Sequence, residues 1–131
     1  MHAPDSVSFS QVRSGEAAEA FAFHERISRS DTHIWPRTRE QLSRLAQEGL
    51  LFGARITSSR EIVGLCYLTA DEREEEWEMG GLTVVQDLQH LGIGTFLVRF
   101  AIAHTLAFDA APDDEAVRRV IAYVHEENRA P

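Results

Sequence analysis

The chain has 131 residues, 44% of them hydrophobic, with 13 Lys+Arg against 21 Asp+Glu and a net charge of −8. This length and apolar content describe one acidic globular domain, residues 1–131, with a short flexible N-terminus over residues 1–5, and exclude an intrinsically disordered chain. The negative charge, unrelieved by any cationic run, sets aside nucleic acid and anionic membranes as partners, and the absence of Lys excludes Schiff-base chemistry.

Val7-Ser8-Phe9-Ser10 alternates with a period of two and predicts a first strand over Val7 to Val12, punctuated by Ser14-Gly15. Ala17, Ala20, Phe21, His24 and Ile27 recur at spacings of three and four, which draws the apolar stripe of a helix. A polar stretch from Ser28 to Arg37 carries Trp35-Pro36. Thr38 with Gln41 then forms a capping box for a second helix, striped by Leu42, Leu45 and Ala46 and ended by Gly49.

From Leu50 the period changes to that of strands. Leu51 to Ile56 and Glu61 to Thr69 read as an antiparallel hairpin about Thr57-Ser58-Ser59-Arg60. After a charged turn at Asp71-Glu72-Arg73-Glu74, a strand over about Glu75 to Val85 is interrupted by Gly80-Gly81, a pair that marks a bulge or a close backbone approach. The longest helix is expected from about Gly92 to Phe108, with Ile93, Phe96, Leu97, Phe100, Ala103 and Ala107 turned inward. A last strand follows from Arg119 to Val124. The order β, α, α, β, β, β, α, β, without internal repeat, is that of an α+β or mixed α/β domain.

The chemistry concentrates between Leu82 and Thr95, where a strand passes to a helix through a glycine-containing turn. A helix N-terminus holds backbone N–H groups without intrahelical partners and a partial positive charge, which suits an anion, and Gly92 and Gly94 keep side chains away from those amides. A tight turn with close helix–strand packing satisfies the same pattern.

Gln89-x-x-Gly92-x-Gly94 resembles the Q/R-x-x-G-x-G/A motif of the GNAT N-acetyltransferase superfamily. The resemblance implies a central, mostly antiparallel sheet with flanking helices and acetyl-CoA as co-substrate. Its pyrophosphate would lie on the loop Gln89, His90, Leu91, Gly92, Ile93, Gly94 and Thr95, and its pantetheine arm on the strand Leu82, Thr83 and Val84. Val124-x-x-x-Asn128 is similar to the ending of the family's fifth strand, where an Asn contacts the cofactor or positions the next helix, which makes Asn128 a further candidate cofactor contact. Catalysis in this family is mostly placement, with strand amides polarising the thioester carbonyl. Val84 N–H is the candidate donor, and Glu78 the candidate general base that takes the ammonium proton, although Glu78 also belongs to the solvated acidic run Glu74-Glu75-Glu76-Trp77-Glu78.

Other residues carry less. The six histidines show no metal-ligand spacing, so no metal is expected. Cys66, among Val63, Leu65 and Leu68, reads as core rather than nucleophile. Trp35 suits either an acceptor-pocket wall or a cap over the core, and Tyr123 reads as packing rather than as a proton donor. The single thiol, the lack of an apolar stretch near the roughly 20 residues of a membrane span, and the absence of a cationic, hydrophobic leader make a cytoplasmic location the expectation.

Two departures from the GNAT pattern stand out. The chain stops at Asn128-Arg129-Ala130-Pro131, where such domains continue into another helix and two strands. A C-terminally truncated sheet would leave the last strand's edge unpaired, so a homo-oligomer formed through that edge is expected. The phosphate loop also contains Asp87 and no Arg, which leaves binding to backbone amides with help from Arg99 or Arg129. The expected activity is N-acetyl transfer to the primary amine of a cationic acceptor drawn to Glu74 to Glu78. The alternative is a non-catalytic module that binds acyl-CoA or only associates with a partner chain.

Overall fold

The computed structural model describes residues 6–31, 34, 36–71, 76–109 and 119–122. Five strands form one sheet in the order β1-β2-β3-β4-β5: β1 (Val7–Gln11), β2 (Leu51–Ile56), β3 (Ile62–Asp71), β4 (Glu76–Val84) and β5 (Arg119–Ala122). The first four pair antiparallel, and β5 runs parallel to β4. Helices α1 (Ala17–Ser30) and α2 (Arg39–Gln47) share a core cluster with one face, and α3 (Ile93–Asp109) shares one with the other. This is the mixed α/β architecture that the element order predicts. Among the described residues no helix is long and apolar enough to cross a membrane.

Local chemistry sets the helix ends. Thr38 Oγ1 accepts from Gln41 N–H at 3.1 Å while Gln41 Oε1 accepts from Thr38 N–H at 2.8 Å, the reciprocal box that starts α2 and contributes about 1 kcal/mol. Gly49, at φ +75°, ends it, with Leu50 N–H reaching Leu45 O at 2.9 Å and Gly49 N–H reaching Ala46 O at 3.1 Å. Arg55 ties β2 to the start of α1 through Glu16 at 2.9 Å and Glu19 at 2.8 Å, and its hydrogen bond holds the Glu19 carboxyl below the usual range.

The core divides between the two faces. Ala20, Leu42, Leu51, Leu65 and Tyr67 are buried toward α1 and α2, and Phe52, Cys66, Leu68, Trp77, Met79 and Val84 toward α3. Helix α3 buries Ile93, Leu97 and Ala101, a ridge at intervals of four. Two residues expected inside it lie outside. Phe96 is 58% exposed, its ring 6.5 Å from that of Phe9 on the edge strand β1, and Ala103 faces solvent. The helix rests on the middle of the sheet along a narrow ridge, so the wider apolar stripe of its sequence overhangs the edge.

The feature that positions the site is a bulge in β4. Leu65 pairs with Thr83 and Tyr67 with Gly80, so Gly81 and Leu82 together oppose Cys66. Gly81 takes φ +60°, and a Cβ there would stand 2.3 Å from the Tyr67 ring; one at Gly80 would stand 2.6 Å from it. The expected bulge is present, and the close neighbour of the glycine pair is the Tyr67 ring rather than another backbone. Gly81→Ala is expected to lower stability by about 2–4 kcal/mol, the sum of a left-handed backbone and a ring clash. Urea unfolding checks this, and in a Tyr67→Ala background the loss should shrink to the backbone share of about 1–2 kcal/mol.

Candidate functional site

The end of β4 and the start of α3 meet around Val84. Val85 N–H donates to Val63 O at 3.0 Å, which turns the backbone of Val85 toward β3. Neighbouring strand residues direct their amides to opposite edges, so Val84 presents N–H and C=O to the other edge. There β5 pairs only with Glu76 to Met79, and its ladder stops short of Val84. Thr83, in register with Leu65, turns its backbone to β3. Thr83 is 2% exposed, and its Oγ1 has no hydrogen-bond partner among the described residues.

The turn after β4 is a 3-10 helix over Gln86–Leu91 that the sequence pattern did not reveal. Gln89 Nε2 reaches back to Val84 O at 3.1 Å, so the first residue of the glycine motif braces the turn against the strand. Gly92 follows at φ +78°, and its carbonyl accepts from Phe96 N–H at 3.0 Å to open α3. The amides of Ile93, Gly94 and Thr95 precede the first helical donor and have no intrahelical acceptor. A Cβ at Gly92 would meet the Phe96 ring at 3.7 Å and 3.9 Å and no other heavy atom within 4 Å among the described residues. The residues present fit an anion at this turn.

The remaining candidates are placed as follows. Leu82 is half-buried within the bulge, Val84, Ile93 and Gly94 are buried, and Leu91 and Thr95 are exposed. His90 lies within the 3-10 turn. Glu78 is exposed and pairs with Thr69, on the face where Tyr67 covers Gly80. Asn128, Trp35, Glu74, Glu75, Tyr123 and Arg129 lie outside the described residues.

Cys66 is fully buried, and desolvation pushes its thiol up to about 12, which removes it as a nucleophile at neutral pH. A hollow of about 880 Å³ lies beside β1, lined by Arg13, Arg55, Arg60, Phe9 and Phe100. It is at the far end of the strand order from the β4 turn, and Arg55 within it is engaged by Glu16 and Glu19.

Sequence reasoning missed one pair on this face. Arg37, just ahead of α2, donates from Nε to Tyr67 Oη at 2.5 Å, with its guanidinium carbon 5.5 Å from the ring centroid. The paired glycines opposite Tyr67 were the available signal, but a strand register was needed to connect them.

Residues 17–130 match the model of the acetyltransferase (GNAT) family. No curated protein sequence matches the chain. An acetyltransferase of the GNAT family from Streptococcus pneumoniae superposes with a TM-score of 0.74 at 18% identity, over 94% of this chain and 77% of that one. N-acetylglutamate synthase from Neisseria gonorrhoeae, complexed with coenzyme A and N-acetyl-glutamate, gives 0.71 at 18% identity over 96% of this chain and 26% of that one. Diaminobutyrate acetyltransferase from Paenibacillus lautus, complexed with L-2,4-diaminobutyric acid and coenzyme A, gives 0.62 at 12% identity over 75% and 57%. The chain thus spans about a quarter of the synthase and little more than half of the diaminobutyrate enzyme. At these identities the likeness is one of fold.

Proposed function

The chain belongs to the acetyltransferase (GNAT) family, and on that premise we propose that it is an N-acyltransferase, moving an acetyl group from acetyl-CoA to the primary amine of an acceptor. The observation that carries this is the junction at Val84. An outward-facing strand amide stands beside a helix N-terminus opened by a left-handed glycine. Solved relatives of this fold hold coenzyme A, which supports the same co-substrate here.

In this reading the amides of Gly92 to Thr95 hold the pyrophosphate, and the open edge of β4 at Leu82 to Val84 pairs with the pantetheine arm. Gln89 contributes by fixing the turn on Val84 O, and His90 and Leu91 through their place in that turn. Asn128 is retained as a further cofactor contact. Acetyl-CoA supplies an acyl group already activated as a thioester. Val84 N–H donates to its carbonyl oxygen, a contribution of about 10²–10³ in rate for one preorganised donor. Glu78 takes the proton that an ammonium must lose before its nitrogen attacks the thioester carbon, and the C–S bond then breaks, the departing thiolate taking the second proton that the nitrogen sheds as it becomes an amide. Glu78, exposed on β4 within an acidic run of the sequence, draws the cationic amine toward it. A cytoplasmic setting fits the lone buried thiol.

β5 stands at the end of the strand order among the described residues. We read its outer edge as the surface on which a second copy pairs.

Calorimetric titration with acetyl-CoA is expected to show saturable binding, abolished by Gly92→Val, whose side chain disfavours the left-handed turn; unchanged binding in that variant would displace the site. Glu78→Gln should slow transfer about a hundredfold at neutral pH, with recovery as rising pH deprotonates the acceptor amine unaided. A rate unaltered across pH would remove Glu78 as the base. Light scattering should report a dimer mass, and a monomer would remove the edge pairing.

A further inference from the structure

Arg37 takes no part in the reading above. It is half-buried, its Nε donates to Tyr67 Oη at 2.5 Å, and neither Nη group has a hydrogen bond within the described residues. Nor does it meet a carboxylate there. Arg55 pairs with Glu16 and Glu19, and even the exposed Arg29 pairs with Glu25. Among the described residues this partly desolvated guanidinium is pinned by a phenol instead. Anchoring through Nε fixes the plane of the fork and leaves the Nη donors, the geometry that grips a carboxylate bidentately.

The placement relates this fork to the transfer site. A Cβ at Gly80 would stand 3.0 Å from Tyr67 Oη, so Arg37 sits one hydrogen bond beyond the β4 bulge. Glu78 lies two residues before Gly80 on the same face, about 7 Å along the strand. Beyond the bulge, Thr83 faces the same side, because it pairs with Leu65, which shares the α1 and α2 core with Tyr67. Its buried Oγ1 lacks a hydrogen-bond partner among the described residues. One sheet face therefore carries a carboxylate, a bulge and a fixed cationic fork within the span of a small molecule.

We propose that Arg37 holds the carboxylate of the acceptor, and that the acceptor is a free amino acid, with its amine toward Glu78 and its acid group on the guanidinium. Tyr67 is the positioning residue that sets the fork. The inference rests on the acyl-transfer reading, and it narrows the cationic acceptor to a zwitterion. An acidic strand alone would favour a plain amine or a polyamine, and those have nothing to offer Arg37.

The test uses the full chain with acetyl-CoA and the common amino acids, each compared with its carboxamide, with free thiol release as the readout. The carboxamides have the more easily deprotonated amines, so chemistry alone favours them. Preference for a free acid by about ten- to a hundredfold in kcat/KM is the expected result. Arg37→Gln should bring that ratio to about one, through KM, without changing the calorimetric affinity for coenzyme A. Tyr67→Phe should raise KM for the acid and leave its kcat. A wild-type preference for the carboxamide, or an Arg37→Gln loss that is equal for both acceptors, overturns the proposal. Failure to bind acetyl-CoA would instead strike the acyl-transfer reading. Direct titration with the same acceptor pairs then decides the carboxylate question without turnover: acid binding that Arg37→Gln removes upholds it, and absence of acid binding overturns it.

Discussion

The extra residue in β4 is the constraint on which the rest of this structure depends. Trp77 and Met79 point into the α3 core before the bulge, and Val84 points into the same core after it. An interval of five from Met79 to Val84 is odd, so a regular strand would put Val84 on the opposite face. One inserted residue restores the parity and lets both halves of the strand bury apolar side chains on one face. The cost is a left-handed backbone at Gly81, which glycine tolerates.

That irregularity also separates two environments along one strand. Before it, β4 has neighbours on both edges, β3 and β5; after it, pairing with β3 continues while β5 is absent among the described residues. A strand that keeps one ladder holds its backbone still, and one that lacks the other presents its groups for use. Gln89 takes the carbonyl of Val84 and thereby ties the α3 turn to the strand end. The helix N-terminus and the outward amide of Val84 are in this way held together by a few local bonds, not by a deep cavity.

The acidic composition shapes what such a site can accept. With a net charge of −8, a polyanionic co-substrate gains little from the field of the whole molecule, and its binding must come from short-range donors. The backbone amides that open α3 are donors of that kind, and their strength does not depend on surface charge. On the face that carries Glu78, the Arg37 fork adds a charge of opposite sign. Because Tyr67 both covers the glycines and anchors Arg37, the ring that packs against the bulge also sets the direction of that charge.

Much of this was legible in the chain alone, wherever the information is local. The Thr38–Gln41 box, the Gly49 stop and the β4 glycine pair each act over a few residues, and their geometry follows from side-chain chemistry there. The motif Gln89-x-x-Gly92-x-Gly94 marked the strand-to-helix turn for the same reason. Three-dimensional packing decided the remainder. Which side of α3 is buried depended on where the helix lies across the sheet, and Phe96 overhangs an edge that no periodicity encodes. The partnership of Arg37 with Tyr67 spans thirty residues and needs both the β3–β4 register and the path of the chain into α2. Sequence thus determined the strands and α-helices, the ends of α2 and the glycine turn before α3, because these rest on neighbouring residues. Tertiary structure alone decided how far β5 runs along β4 and which charge meets Tyr67 opposite the bulge, because both depend on contacts between segments far apart in the chain.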